Sequence, residues 1–290
     1  MKLYLLITFF TFTIFFTYEL DAQHLYLFKV QVTGKGKPMI LIPGLACSGE
    51  VWKGTVEHYK NTNTCYVITL AGFAGIPPVD TVPFLKNVRD DLIRYIEKKN
   101  IKKPIIVGHS LGGFLALNIA LSKPDLLSKI VIVDAVPFLP ALYNPSTSAR
   151  EMEVYAEDMQ ESMLEKSNEE YKKSQKTTFR ALITDTIVAD KCSVWGETSD
   201  PKTVAQAVSE MMTTDIRDDL GKITLPCLVM GTWIEYKSVA TSDDVEYQFK
   251  AQYKKLKNCK ISIYKTARHF IMLDDEKGFL NEIDTFLLNK

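Results

Sequence analysis

The segment Ile105–Gly113 places the strongest constraint on how this chain folds. It reads Ile-Ile-Val-Gly-His-Ser-Leu-Gly-Gly, so an apolar run typical of a strand ends at Ser110 inside a Gly-x-Ser-x-Gly motif, and a helix-like apolar stretch, 114–121, follows. A sharp turn from strand to helix exposes the serine hydroxyl and directs the free N–H groups of the helix toward it. Gly108 and Gly112 keep side chains out of such a turn. Gly-x-Ser-x-Gly alone also occurs in ordinary turns, and the flanking segments are what favour a nucleophilic Ser110.

Strand-like and helix-like segments alternate along most of the chain. The strand-like segments are 25–32, 37–42, 64–70, 105–107, 129–133, 225–231 and 260–264, and the helix-like segments are 48–60, 88–99, 114–121, 245–256 and 279–288. This alternation predicts an α/β fold with a mostly parallel central sheet flanked by helices.

Residues 137–221 break the alternation. This stretch is charged and rich in methionine, with helical spacing and no convincing strand. It predicts a helical cap inserted into a catalytic domain formed by 23–136 and 222–290. A single methionine is most simply explained as helix core, but several together suit an adaptable apolar cover over a pocket. The methionines concerned are Met152, Met159, Met163, Met211 and Met212.

The first residues are typical of a secretory signal. Lys2 precedes an apolar run, 3–17, and the small residue Ala22 precedes a plausible cleavage point,. Cleavage after Ala22 would make 1–22 a signal peptide and the protein secreted or periplasmic. The alternative is an uncleaved membrane anchor, the one contact with a membrane that we expect.

Composition narrows the partners and the metal chemistry. The formal net charge is +0 and no basic cluster occurs, so nucleic acid is not an expected partner,. The chain has 5 cysteines without Cys-x-x-Cys spacing, so neither a metal site nor any particular disulfide is predicted,.

A serine nucleophile needs a base, and the chain has only 4 histidines,. His24 lies beside the predicted cleavage site, and His58 lies in a polar helix-like context. His109 is the neighbour of Ser110 on a tight turn, where adjacent side chains diverge. His269 remains, in a loop after the last predicted strand, where open α/β sheets place ligand chemistry,.

Two backbone N–H groups are candidates for holding the oxyanion of an acyl-transfer intermediate. Leu111 directly follows the nucleophile, and Leu45 follows Gly44 in the loop after the strand 37–42,. An ordinary Pro-Gly turn is the alternative interpretation of that loop. If Leu45 donates through its backbone, its side chain should face the pocket.

Together these residues resemble the α/β-hydrolase superfamily, in its serine-hydrolase branch of esterases and lipases. The resemblance runs from about Val30 to the C-terminus and is weakest in the predicted cap. It is carried by four segments: Gly108–Gly113, the Pro43-Gly44 loop with Trp52 downstream, Leu70–Gly75 and Arg268–Phe270. Similar proteins more often have His-Gly where this chain has Pro43-Gly44. The resemblance implies an eight-stranded, mostly parallel sheet with a cap inserted before the strand that ends near Met230.

The acid that orients the histidine is open between two positions. Similar enzymes place an aspartate shortly after the strand that ends at Met230, but that loop has Glu235 as its nearest carboxylate. Some take the acid from the end of the preceding strand, where Asp134 stands. We prefer Asp134, with Glu235 as the alternative acid.

This constellation predicts a serine hydrolase that cleaves a small apolar carboxylic ester, lactone or amide through an acyl-enzyme on Ser110. His269 would act as base, and no metal or organic cofactor would be needed. A cofactor-free peroxidase or carbon–carbon bond hydrolase on the same fold is one alternative. A hydrolase-like binding or receptor protein with little turnover is another.

Overall fold

One seven-stranded sheet organises the chain in the computed structural model, which describes residues 26–234 and 236–288. The strands are β1 Phe28–Gly34, β2 Lys37–Ile42, β3 Asn63–Leu70, β4 Ile105–His109, β5 Lys129–Val133, β6 Cys227–Thr232 and β7 Cys259–Tyr264. Their order across the sheet is β1-β3-β2-β4-β5-β6-β7. β1 runs antiparallel to β3 and the other neighbours are parallel, which confirms the predicted fold class.

The expectation of eight strands differs from the seven found in the described residues. The sheet begins at β1, whose partner is β3. β1 also begins later than the predicted strand 25–32 and runs to Gly34, which pairs with Thr64. Most of β1 after Phe28 is partly or fully exposed, so its limits follow the pairing with β3 rather than an apolar pattern.

Both faces of the central strands are buried. On β2, Ile40 and Ile42 pack into one apolar core, while Met39 and Leu41 pack into the core on the opposite face. Successive side chains of a strand point to opposite faces, so a strand covered on both sides is apolar at every position. The unbroken apolar runs of β4, β5 and β6 have this origin.

Ten α-helices lie among the described residues. They are α1 Lys53–Tyr59, α2 Phe84–Lys98, α3 Leu111–Ser122, α4 Glu153–Leu164, α5 Asn168–Leu182, α6 Thr186–Glu197, α7 Pro201–Thr213, α8 Ser242–Gln252, α9 Ile271–Asp274 and α10 Glu276–Leu288. α2, α3 and α8 contribute to the core on one face of the sheet, and α9 and α10 contribute to the core on the other. A short 3-10 helix, Gly49–Trp52, precedes α1, so the predicted helix 48–60 is split in two.

Four helices, α4–α7, separate β5 from β6, and we call them the helical insertion. The described residues between these strands contain no strand, as the sequence predicted. The loop after β3 holds the insertion against the body of the protein. In that loop the carbonyl of Gly72 accepts from the Asp200 N–H at 2.7 Å, and the N–H of Gly75 donates to Thr198 at 3.1 Å.

The predicted signal, 1–22, lies outside the described residues. Among the helices that are described, none is both long enough and apolar enough to cross a bilayer.

Candidate active site

Ser110 lies at a strained junction between β4 and α3. Its φ of 52° and ψ of −119° are unusual for a residue with a side chain, and its N–H donates to the Val133 carbonyl on β5 at 2.9 Å,. The flanking glycines are required by close backbone approach. A Cβ at Gly108 would collide with the carbonyl of Gly112, and a Cβ at Gly112 would collide with the carbonyl of Ile42. The sequence motif therefore forms the predicted turn.

The two candidate oxyanion donors flank this turn. Leu111 is the first residue of α3, and Leu45 follows β2 in the loop that reaches over the junction. Within the described residues, no carbonyl or side chain accepts a hydrogen bond from either N–H. Gly44 allows the close approach, since a Cβ there would lie 2.9 Å from Nδ1 of His109 and 3.2 Å from Cβ of Ser110. Leu45 also lines the cavity beside Ser110.

Asp134 and His269 form a direct pair. Nδ1 of His269 lies 2.6 Å from Oδ2 of Asp134, and the two side chains are 19% and 8% exposed. Asp134 directly follows β5, and its carboxylate is fixed by Thr232 on β6. The Thr232 N–H donates to Oδ1 at 2.9 Å, and the Thr232 hydroxyl donates to Oδ2 at 3.0 Å. The structure thus brings Asp134 to His269, while Glu235, the alternative acid, lies outside the described residues.

His109 is a buried neighbour of this pair and contacts His269. It is fully buried, and its Nε2 lies 3.0 Å from the main-chain carbonyl of His269. Its ring centroid lies 4.5 Å from that of His269 and 4.6 Å from that of Phe270. Burial, helped by the nearby imidazole of His269, holds the pKa of His109 well below its ordinary value of 6.5,. His109 is therefore neutral, and Nε2 carries the proton that is donated to the carbonyl.

The loop that carries His269 is tied to the helical insertion. Asp274 accepts from the Arg268 N–H at 2.8 Å, and also from the N–H and hydroxyl of Thr184, which lies between α5 and α6. The Arg268 guanidinium donates to the carbonyls of Arg180 and Ala181 in the last turn of α5. A cation at a helix C-terminus is stabilised by the helix dipole. The position of His269 thus depends on the insertion as well as on the sheet.

A cavity of about 380 Å³ opens onto the candidate catalytic groups. Ser110, Asp134 and His269 line it on the sheet side, and the helical insertion covers it from above. Its size and mainly apolar lining are typical of a small-molecule site. The residues contributed by the insertion are Met163, Gln175, Thr178, Phe179, Leu182, Val204, Val208 and Met211.

The predicted methionine cover is present in part. Met163 and Met211 line the cavity, whereas Met212 is buried in the insertion. Met152 and Met159 do not line it. Sequence spacing identifies the helical stripe but not which side of the stripe meets the cavity, because the packing of α4 on α7 decides that.

The described residues contain no group of three or more His, Cys, Asp and Glu side chains arranged to hold a metal ion. Cys47, Cys65, Cys192 and Cys227 are buried thiols.

A family model described as the alpha/beta hydrolase family matches residues 39–282. The chain belongs to this family. The match includes the strand-turn-helix segment around Ser110 and the loop of His269, and it agrees with the observed sheet.

Individual relatives of this alpha/beta hydrolase are distant. A pimeloyl-[acyl-carrier protein] methyl ester esterase of Aliivibrio salmonicida is 20% identical over 89% of this chain and 94% of its own length. Among solved structures, a bromoperoxidase from Bacillus anthracis superposes with a TM-score of 0.75 at 18% identity, covering 90% of this chain and 95% of its own. An esterase from Exiguobacterium antarcticum gives a TM-score of 0.73 at 16% identity, covering 90% and 95%. At these identities the structural similarity supports the fold and leaves the substrate open.

Several contributors to the site carry no motif that would reveal them. Thr232 and Asp274 act through contacts between distant segments, and Gln175 lies in the least recognisable part of the chain. An indirect signal for Thr232 is its position at the end of β6. Because β5 and β6 are parallel neighbours, their ends lie side by side, and the Asp134 N–H donates to the Met230 carbonyl there.

Proposed function

We propose that this alpha/beta hydrolase cleaves small apolar carboxylic esters through an acyl-enzyme on Ser110. The observation that carries the proposal is the 2.6 Å contact between Asp134 and His269 in the cavity that Ser110 also lines. A carboxylate on Nδ1 leaves Nε2 of the imidazole as the basic nitrogen, and it stabilises the imidazolium once a proton has been taken.

The proposed reaction has two half-reactions, acylation of Ser110 and deacylation. His269 takes the hydroxyl proton of Ser110, whose oxygen attacks the ester carbonyl, and the N–H groups of Leu45 and Leu111 stabilise the resulting oxyanion. The intermediate collapses by breaking the bond to the alkoxy group, which leaves as the alcohol with the proton from His269. Water then attacks the acyl-enzyme while His269 takes its proton, the bond from the acyl carbon to the Ser110 oxygen breaks, and the carboxylic acid leaves as His269 returns the proton to that oxygen.

The cavity supports an apolar substrate. Leu45, Phe114 and the apolar residues of the insertion surround the reacting groups. Burial of each methylene in such a site contributes about 0.8 kcal/mol. The name of the Aliivibrio relative, a methyl ester esterase, is consistent with an ester as the substrate class. Lactones and amides would use the same groups.

The proposal is tested with a serine-directed fluorophosphonate and with short-chain methyl esters. We expect wild-type protein to be labelled at Ser110 and to hydrolyse the esters, because the probe requires an activated serine. Ser110→Ala should abolish labelling and lower turnover by about 10⁴-fold or more. Ser122→Ala, at the exposed end of the same helix α3, is the matched control and should keep both.

Labelling of Ser110→Ala as strongly as wild type would contradict the assignment of the nucleophile. A folded wild-type protein that neither reacts with the probe nor hydrolyses any ester would instead support a binding or receptor role.

A further inference from the structure

One polar side chain interrupts the apolar wall that α5 presents to the cavity. Gln175 lines the cavity together with Thr178, Phe179 and Leu182, which share its face of the helix,. Gln175 is 9% exposed, so most of its side chain is shielded from bulk water.

The amide of Gln175 has no hydrogen-bond partner among the described residues. The amide is not among the fully enclosed side-chain atoms that lack a partner, so it keeps accessible surface where Gln175 borders the cavity. The amide borders the cavity, so a molecule inside the cavity can supply the missing hydrogen bond.

The neighbouring helix α6 leaves room for this amide. A Cβ at Gly196 would lie 2.6 Å from Oε1 of Gln175 and 2.9 Å from Cε2 of Phe179. Glycine at this position therefore lets α6 pack directly on both side chains. The amide is held against a helix backbone instead of moving freely, which is how a recognition group is preorganised.

Gln175 lies earlier in α5 than the turn that contacts the loop of His269. The last turn of α5 contacts the loop of His269, and the ring of Phe179 lies 5.7 Å from that of Phe270. Gln175 precedes Phe179 by four residues, which is roughly 6 Å along the axis of α5. A substrate group that reaches it is therefore several bonds from the carbonyl that Ser110 attacks.

The charges around the cavity favour an uncharged group. Among the described residues that line it there is no lysine or arginine, and the carboxylate of Asp134 is already bonded to His269 and Thr232. An ionised group on the substrate would be buried without a counter-ion, which is costly. An amide, in contrast, can donate to a keto oxygen and can exchange hydrogen bonds with a hydroxyl.

We propose that Gln175 is a specificity-determining residue that hydrogen-bonds an uncharged polar group, keto or hydroxyl, carried on the substrate chain several bonds from the scissile carbonyl. This inference rests on the proposed ester hydrolysis at Ser110.

The test compares methyl octanoate with its analogues bearing a keto group at carbon 4, 5, 6 or 7, and with the monomethyl ester of octanedioic acid. For wild type we expect at least one keto ester to exceed methyl octanoate in kcat/KM by about tenfold, the value of one buried hydrogen bond. Gln175→Leu should remove that preference. Gln160→Leu is the matched control: this glutamine bonds to Gln206 elsewhere in the insertion, and the preference should remain. Gln175→Glu keeps the shape but cannot donate when ionised, so it should also lose the keto preference.

Three results would overturn the inference: no keto ester is preferred by wild type, the preference survives in Gln175→Leu, or the carboxylate-bearing ester is preferred. A second measurement does not need turnover. In Ser110→Ala protein, calorimetry should give the preferred keto ester a Kd about tenfold below that of methyl octanoate, and Gln175→Leu in that background should equalise the two. Absence of Ser110-dependent hydrolysis of every ester would contradict the proposed function, while the Kd comparison would still decide for or against Gln175.

Discussion

Asp134 combines an uncommon backbone state with a fully engaged side chain. Its φ is 45°, in the left-handed region that aspartate and asparagine enter more readily than most residues,. The N–H bonds to Met230 at 2.7 Å, and Thr232 holds both carboxylate oxygens. The carboxylate is thus oriented before it meets His269, and orientation of the imidazole is what an acid in this position contributes.

We expect Asp134→Asn to lower ester kcat by about 10⁴-fold, as the same change does in a Ser-His-Asp triad on an unrelated fold. The amide keeps the shape but cannot stabilise the imidazolium of His269. Steady-state kinetics on a methyl ester measure the effect. Thr232→Val is the matched control: it removes one of the two bonds from Thr232 and should cost far less. A mild effect of Asp134→Asn together with a severe effect of Glu235→Gln would transfer the role of acid to Glu235.

The burial of His109 predicts that the stability of the protein depends on pH. Burial lowers its pKa in the folded protein, while in the unfolded chain it stays near 6.5. Below about pH 6.5 the unfolded chain therefore binds a proton that the folded protein does not, and the free energy of unfolding falls as the pH falls. The slope from one such group approaches about 1.4 kcal/mol per pH unit.

His109→Gln should reduce this slope, because the amide keeps a donor for the His269 carbonyl but does not titrate. Urea unfolding between pH 7 and pH 5 measures it, and all other ionisable groups are shared by the two proteins. If the free energy of unfolding changes equally with pH in wild type and variant, His109 binds its proton as readily in the folded protein as in the unfolded chain, which would contradict the prediction.

At the residue scale, the sequence indicated candidate side chains by motif or by elimination, and it gave little sign of those that act through contacts between distant segments. Ser110 follows from its turn, and His269 followed from elimination among the histidines. The sequence favoured Asp134 as the acid but kept Glu235 as an alternative, because the choice depends on the contact between β5 and β6. His109 was excluded as a base, but its bond to the His269 carbonyl could not be predicted, since it joins segments far apart in the chain.

The start of α2 shows how one element depends on another. The sequence predicted a helix over 88–99, but α2 begins at Phe84. Glu210 on α7 accepts from the Phe84 N–H at 2.6 Å and from the Leu85 N–H at 2.7 Å. These are N–H groups of the first turn, which have no partner inside the helix. The cap comes from the helical insertion, so local sequence could not indicate where the helix starts.

We expect Glu210→Ala to lower the free energy of unfolding by about 1–2 kcal/mol, through loss of the cap and of its favourable charge at a helix N-terminus. Urea unfolding at neutral pH measures this change. Glu210→Gln, which keeps one acceptor oxygen, should lose less. If the alanine variant is as stable as wild type, the two hydrogen bonds contribute nothing to holding α7 on α2.

For the whole molecule, the alternation of segments was sufficient to predict the parallel sheet and the helical insertion. Burial on both faces makes β4, β5 and β6 apolar throughout, which is a signal that sequence carries clearly. The seven strand-like segments correspond to the seven strands of the described residues, whereas the eighth strand that the resemblance implied is not among them. The limits of the edge strand β1 were harder to predict, because it is largely exposed and they come from pairing with β3. How the insertion sits on the sheet was beyond sequence reasoning, since it depends on single bonds such as that of Asp200 to Gly72.

The candidate catalytic groups and the helices that line the cavity belong to different parts of the fold, which has an evolutionary consequence. The groups proposed to break bonds stand at the ends of sheet strands or in loops beside them, whereas much of the remaining cavity wall belongs to α4, α5 and α7. Mutations on the inner faces of those helices can alter which molecules are accepted while the bond-breaking apparatus stays as it is. New substrate preferences are therefore expected to arise first from substitutions in these helices. Arg268 and Asp274 restrict which substitutions are tolerated, because they connect the insertion to the loop of His269.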